Sequence, residues 1–171
     1  MKTIADYPIQ TVTTTEDHIM WIFTGKWCLI DNFAPCPVKI DLGIGEMIYP
    51  TSEHAYAAAK ARTPIAHRHI RRQPTPGHAK MEGRLCLIRK DWEDIKFDVM
   101  WRILIAKFQQ NVDALAVLQL TGARPIYEGN TWNDDIWGVL KQKDDTWKGR
   151  NALGQMLMEI RDNPSLLAEV D

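Results

Sequence analysis

Between Asp91 and Asn111 apolar residues recur at intervals of three and four, at Ile95, Val99, Met100, Ile103, Leu104 and Phe108. That period is helical, so the stretch predicts one long core helix from Trp92 to about Gln110, with Asp91 as its cap. A helix this long carries an apolar stripe that only other packed elements can cover. Lys107 falls near its C-terminal end, where the helix dipole favours a cation.

Shorter helices supply that cover, and each starts at a residue able to accept from the free N–H groups of a first turn. Pro50 bars Tyr49 from helical dihedrals, Thr51 or Ser52 provides the cap, and four alanines carry a helix onward from about Thr51. Thr63-Pro64 opens a helix through Arg72, and Thr75-Pro76 a third, from Gly77 to roughly Leu87. Asn111 caps Val112 to Leu120, which stops at Gly122, and Asn151 caps Ala152 to Arg161. Asn163-Pro164 starts a short tail helix.

Strand signals are few. Met20–Phe23 and Val38–Asp41 are expected to form a small sheet, Pro125–Glu128 is a third brief candidate, and Gly129 to Arg150 reads as a long polar loop. Residues 1–20 form a lead-in and 162–171 a tail. The expected fold class is mainly α, that is α+β with a small minor sheet, in a single domain covering residues 1–171.

Composition narrows the function. A chain of 171 residues, 45% apolar and 25% charged, has the make-up of a soluble globular domain, and its net charge of −1 argues against broad non-specific affinity for nucleic acid. Cys28, Cys36 and Cys86 are odd in number and lack CxxC spacing, which argues against a disulfide framework or thiolate metal site and for a reducing cytoplasm. No metal and no cofactor is expected. No apolar run approaches the roughly 18 residues that span a bilayer, so no membrane partner is expected either.

Chemistry concentrates in the helix that follows Pro50. Glu53 falls in its first turn, near unpaired N–H donors and the positive end of the dipole, which favours the ionised carboxylate. Tyr56 and Lys60 follow at i+3 and i+7, so a carboxylate, a phenol and an amine line one stripe. The competing reading is a capping glutamate on an ordinary surface helix. Upstream, the loop Leu29–Pro37 offers Asp31 and Asn32 as ligand-holding groups. His67, Arg68, His69, Arg71 and Arg72 make one dense basic run, either a solvated helix face or a phosphate contact. Of the seven tryptophans, some are expected to line a pocket, while Trp101 is expected in the core.

In order, these segments resemble the NADAR family of YbiA-like N-glycosidases from about Trp21 to Arg161. The residues that carry the likeness are Asp31-Asn32-Phe33 with Pro37, Tyr49 to His54, Ala79-Lys80 with Gly83-Arg84, Asp91-Trp92-Glu93, and Ala106-Lys107-Phe108. Asn133-Asp134, Trp137-Gly138, Gly149-x-Asn151-x-Leu153-Gly154 and Leu157-Met158-Glu159-x-Arg161 continue it. The resemblance implies a single YbiA-like helical domain that hydrolyses an N-glycosidic bond to a ribose-type sugar. The substrate would be a phosphorylated riboside of the riboflavin pathway; the alternatives are ADP-ribose removed from guanine bases, including ADP-ribosylated nucleic acid, or a non-catalytic ADP-ribose-binding module. It also implies catalytic roles for Glu53, Trp92 and Asp134.

Around these residues, Asn32, Tyr56, Lys60, Trp137 and Asn151 are expected to bind substrate. Arg84 and Lys80, at i and i−4 on one helix, are suited to its phosphate, with Lys107 a further candidate. Two departures from the family pattern bear on the substrate. Asp31 stands where Ser is common, and Val139 to Trp147 lacks a glycine-rich run.

Overall fold

A computed structural model of the chain describes residues 1–13, 19–20 and 25–168. Most of the expected strand Met20–Phe23 therefore lies outside the described residues. In chain order the elements begin with β1 (Gln10–Val12), β2 (Ile19–Met20), β3 (Val38–Asp41) and β4 (Glu46–Tyr49). The helices α1 (Ser52–Ala59), α2 (Pro64–Arg71), α3 (Pro76–Leu85), α4 (Trp92–Gln110) and α5 (Val112–Leu120) follow. Next come β5 (Ile126–Tyr127), β6 (Gly129–Asn130), β7 (Val139–Lys141), β8 (Trp147–Gly149) and α6 (Ala152–Asp162). The class is mainly α with small sheets, as expected.

The chain divides into two compact units, one of Met1–Thr3 with Asn32–Ala114, the other of Ile4–Asp31 with Leu115–Asp171. In the first, β3 and β4 form an antiparallel hairpin with Val38 opposite Tyr49 and Asp41 opposite Glu46. Its turn is local chemistry: Asp41 Oδ1 accepts from the N–H groups of Gly43 and Gly45 at 2.7 and 3.0 Å. Both glycines have φ above 90°, a region that side chains disfavour. Among the described residues Val38–Asp41 pairs with β4, a strand five residues away that closes a short loop, and Met20 pairs with Tyr127.

Thr51, Thr63 and Thr75 cap α1, α2 and α3, each hydroxyl accepting at 3.2 Å from the N–H three residues on. Asp91 holds the cap position of α4 but its side chain makes no cap bond; its carboxylate takes a two-pronged contact from Arg89 at 2.7 and 2.8 Å. Asn111 closes α4 rather than only opening α5, its amide donating to Lys107 O and Pro37 O, each at 2.9 Å. Gly83 lets α3 approach α1: a Cβ there would sit 2.9 Å from Ala57 Cβ. Trp92, Phe97, Met100, Ile103, Leu104 and Phe108 bury the inner face of α4, whereas Trp101 is only half-buried, under Lys2.

In the second unit the stretch expected to be one long loop is built into strands. β1, β8, β7 and β6 form a four-stranded sheet in that order, and β2 pairs with β5 in parallel. Three-residue strands are too short to show a period, which is why Gly129 to Arg150 reads as loop. Tyr127, Val139 and Trp147 pack as its core, with Val12 against them. Backbones cross closely here: a Cβ on Gly138 would lie 2.1 Å from Glu128 O, and one on Gly154 would lie 2.3 Å from Ile126 O.

Candidate active site

The first unit gathers most of the expected site around α1. Glu53 is 7% exposed, at the start of a helix whose eight residues are all buried. Its N–H donates to Asn32 O at 2.9 Å, and the next N–H, of His54, donates to the Thr51 hydroxyl. The first-turn donors at Glu53 and His54 are thus engaged by protein, which corrects the expectation that they are unpaired. The His54 imidazole secures the same turn, with Nε2 3.0 Å from Gln73 O and Nδ1 2.9 Å from Thr51 Oγ1. A carbonyl can only accept, so Nε2 carries the proton and Nδ1 accepts from the threonine. Burial holds the His54 pKa below its ordinary value, consistent with a neutral ring.

At the other end of α1 an aromatic and cationic group assembles. Tyr56 and Trp92 rings lie 5.0 Å apart at 60°, and Lys60 Nζ is 4.9 Å from the first centroid and 5.8 Å from the second. The main chain brings Trp92 there: Arg62 N donates to Leu87 O and Arg89 N to Lys60 O, both at 2.9 Å, laying the segment after α3 along the end of α1. Burial lowers the Lys60 pKa; the Glu53 carboxylate opposes this, while Arg84 and Lys80 reinforce it. Glu53, Arg84 and Lys80 therefore all act on Lys60, in keeping with the close packing of α3 on α1 at Gly83.

Lys80 also lies 5.5 Å over the Phe33 ring, so the loop carrying Asn32 and Phe33 is adjacent to the cations of α3. The Asn32 side chain is fixed on one side only. Its Nδ2 donates to Met100 Sδ at 3.6 Å, and its Oδ1 is buried with no hydrogen-bond partner among the described residues. Asn32, Glu53, Tyr56, Lys60, Lys80, Arg84 and Trp92 are thus brought together within one unit. Lys107 is not presented as expected; it is 0% exposed within α4, its ammonium 5.5 Å from the Phe108 ring.

Asp134, Trp137 and Asn151 belong to the second unit. Asp134 Oδ1 accepts from the N–H groups of Ile136 and Trp137 at 3.2 and 2.9 Å, while Asn130 brackets its main chain from both sides. This is an Asx turn, and it fixes the carboxylate and the start of Trp137 together. Asn151, wholly buried at φ 50°, sends Oδ1 to Glu128 N and Nδ2 to Ile126 O. Both its amide ends are engaged by main chain, so it neither caps α6 nor offers a side-chain donor outward. Phe33 and the buried carboxylate Glu128 were not singled out from sequence; Phe33 stood only within the family motif, and Glu128 closed a strand candidate without any spacing signal.

Comparison with known proteins finds relatives over most of the chain. The NADAR domain model matches residues 22–163. The N-glycosidase YbiA of Escherichia coli is 38% identical over 133 residues, which are 77% of this chain and 78% of that protein. An NMR structure of E. coli YbiA superposes with a TM-score of 0.68 at 32% identity, covering 91% of this chain and 90% of that one. The chloroplastic riboflavin biosynthesis protein PYRR of Zea mays is 29% identical over 143 residues, 76% of this chain but 22% of that longer protein.

Proposed function

This chain belongs to the NADAR family and is a hydrolase acting on N-glycosidic bonds, and we propose that its substrate is a phosphorylated riboside such as a riboflavin-pathway intermediate. The observation that carries this reading is the company Glu53 keeps: one buried carboxylate, an aromatic pair, and Lys60 within electrostatic reach of Glu53, Lys80 and Arg84. Likeness to the maize protein supports the riboflavin assignment.

Cleaving a ribosyl C–N bond sends the electron pair away with the base and leaves an oxocarbenium-like sugar. Glu53 is assigned to stabilise that cation and to take a proton from the water that adds to C1. Trp92, with Tyr56 beside it, supplies the stacking surface for the base. Arg84 and Lys80 hold the phosphate, the former through its planar fork. Asn32 Oδ1 accepts from a substrate hydroxyl or amine, since its other end is turned to Met100. We assign Asp134, for which the family resemblance implies a catalytic role, a second carboxylate role on water or a ribose hydroxyl, and Trp137 a binding role. Direct hydrolysis is favoured over attack by Lys60, although burial that lowers its pKa makes the free amine more accessible.

Three cations exceed what one phosphate monoester needs, and this favours a diphosphate as the second reading: ADP-ribose released from guanine. Mass spectrometry of products from a panel of phosphorylated riboflavin intermediates, ADP-ribosylated guanosine and free ADP-ribose separates the two. Release of free base from the riboflavin intermediates alone is expected. Release from ADP-ribosylated guanosine alone overturns the assignment in favour of the second reading. Among the described residues Cys28, Cys36 and Cys86 form no disulfide, which suits the cytoplasmic site of action we assign to the protein.

A further inference from the structure

Outside this site, α2 turns a row of guanidinium groups outward. Arg68, Arg71 and Arg72 stand at i, i+3 and i+4, so they share one face of the helix. Two depressions flank them. One, of about 540 Å³, includes Arg68, His69, Arg72 and Gln73 in its lining. The other, of about 480 Å³, is lined by Lys39, Ile48 and Arg71 together with the same Arg68 and Arg72. Arg68 and Arg72 thus form a cationic ridge between two open troughs.

The nearby carboxylates do not neutralise that ridge. Glu46 pairs with Lys39 at 2.8 Å and Glu82 approaches His69 at 3.5 Å, while neither Arg68 nor Arg72 meets a carboxylate among the described residues. Adjacent like charges repel, and this face keeps them on a chain whose net charge is −1. Arg71 differs: its Nη1 donates to Ile48 O at 2.9 Å, and its Nε is buried without a hydrogen-bond partner among the described residues.

We propose that this ridge binds the phosphodiester backbone of a nucleic-acid strand. Guanidinium forks match phosphate oxygens, and the shallow troughs on either side leave room for nucleotides before and after each contacted phosphate. An acidic peptide fits less well. Strand addition would need the free edge of β4, where Arg71 already takes the Ile48 carbonyl. The ridge is one hydrogen bond from α1, since Gln73 O, in the lining of the first trough, accepts from His54 Nε2, next to Glu53 in sequence. The inference stands apart from the choice of riboside, because it concerns binding and not turnover.

The test is fluorescence anisotropy of the full chain with a labelled 20-nucleotide single-stranded DNA of mixed sequence, over a salt series, beside a labelled oligo-glutamate of similar charge. Two phosphates neutralised by Arg68 and Arg72 predict a log–log salt slope of about −1.4. The double variant R68E/R72E is expected to weaken DNA binding at least tenfold, and R68K/R72K to retain most of it. Both sites are exposed, so melting curves should match wild type, and turnover of the small substrate should be unchanged. DNA affinity that is absent at low salt, unaffected by charge reversal, or no greater than that for oligo-glutamate overturns the proposal.

Discussion

The Asn32 carbonyl accepts the backbone N–H of Glu53 at 2.9 Å, a main-chain tie between the segment that carries Asn32 and the helix start. The Asn32 side chain is therefore not needed to hold Glu53 in place. Replacing it by alanine removes a buried oxygen that lacks a protein partner, a change that costs little or even stabilises. We expect Asn32→Ala to leave the melting temperature within about 2 °C of wild type while lowering kcat/KM about tenfold to a hundredfold, the loss of one or two hydrogen bonds to substrate. A large drop in melting temperature with unchanged kinetics would reverse the assignment.

Gly83 sets how closely α3, with Lys80 and Arg84, lies on α1. A methyl group there would press on Ala57 Cβ at 2.9 Å and on its Cα and carbonyl oxygen at 3.1 Å, and the backbone atoms cannot rotate away. Overpacking of this kind costs about 1–3 kcal/mol. In a chain of this size Gly83→Ala should lower the melting temperature by roughly 2–10 °C. It should also reduce kcat/KM, because the cations move with the helix. Calorimetry and steady-state kinetics on the same preparation check both, and an unchanged melting temperature contradicts the packing account.

His67 is buried with its Nε2 2.7 Å from the Tyr49 hydroxyl. Burial, then the charges of Arg68, Arg71 and Arg89, push its pKa from 6.5 down to about 4, while burial raises the Tyr49 phenol to about 12 and keeps it a donor. Between those two histidine values the unfolded chain binds a proton that the folded chain does not. Stability therefore falls as pH drops from 6.5 towards about 4, by on the order of 2–3 kcal/mol from this group. His67→Gln should flatten that part of the pH profile. Identical acid sensitivity of the melting temperature in variant and wild type would show that another group is responsible.

Arg84 is exposed on α3 and close enough to Lys60 to depress its pKa. If it holds the substrate phosphate, Arg84→Ala should cost about tenfold to a hundredfold in kcat/KM, and Arg84→Lys should recover part of this, keeping charge but losing the fork. The informative comparison is substrate with and without its phosphate. An equal ratio between those substrates in wild type and Arg84→Ala removes Arg84 from the phosphate site.

Helices were legible in the sequence because their signals are local. Trp92 to Gln110 declared itself by period, and Thr51, Thr63 and Thr75 by cap chemistry, so the structure reproduces their positions closely. Strands were not, because β6 and β5 have two residues each and acquire their identity from partners distant in sequence. The same distinction runs through the site. Glu53, Tyr56 and Lys60 share a helix and could be grouped by spacing, whereas Phe33 reaches Lys80 only through tertiary packing. Asn151 illustrates the opposite error: an N-cap residue type at a helix start whose amide instead clamps Glu128 and Ile126.

The central claim is that Glu53 carries the reaction. Glu53→Gln preserves volume and removes the charge, so it isolates the electrostatic and proton-accepting roles from packing. Single-turnover release of free base, followed by mass spectrometry with enzyme in excess, should fall by about 10² to 10³ while substrate affinity and melting temperature remain near wild type. Release within threefold of the wild-type rate would contradict the account.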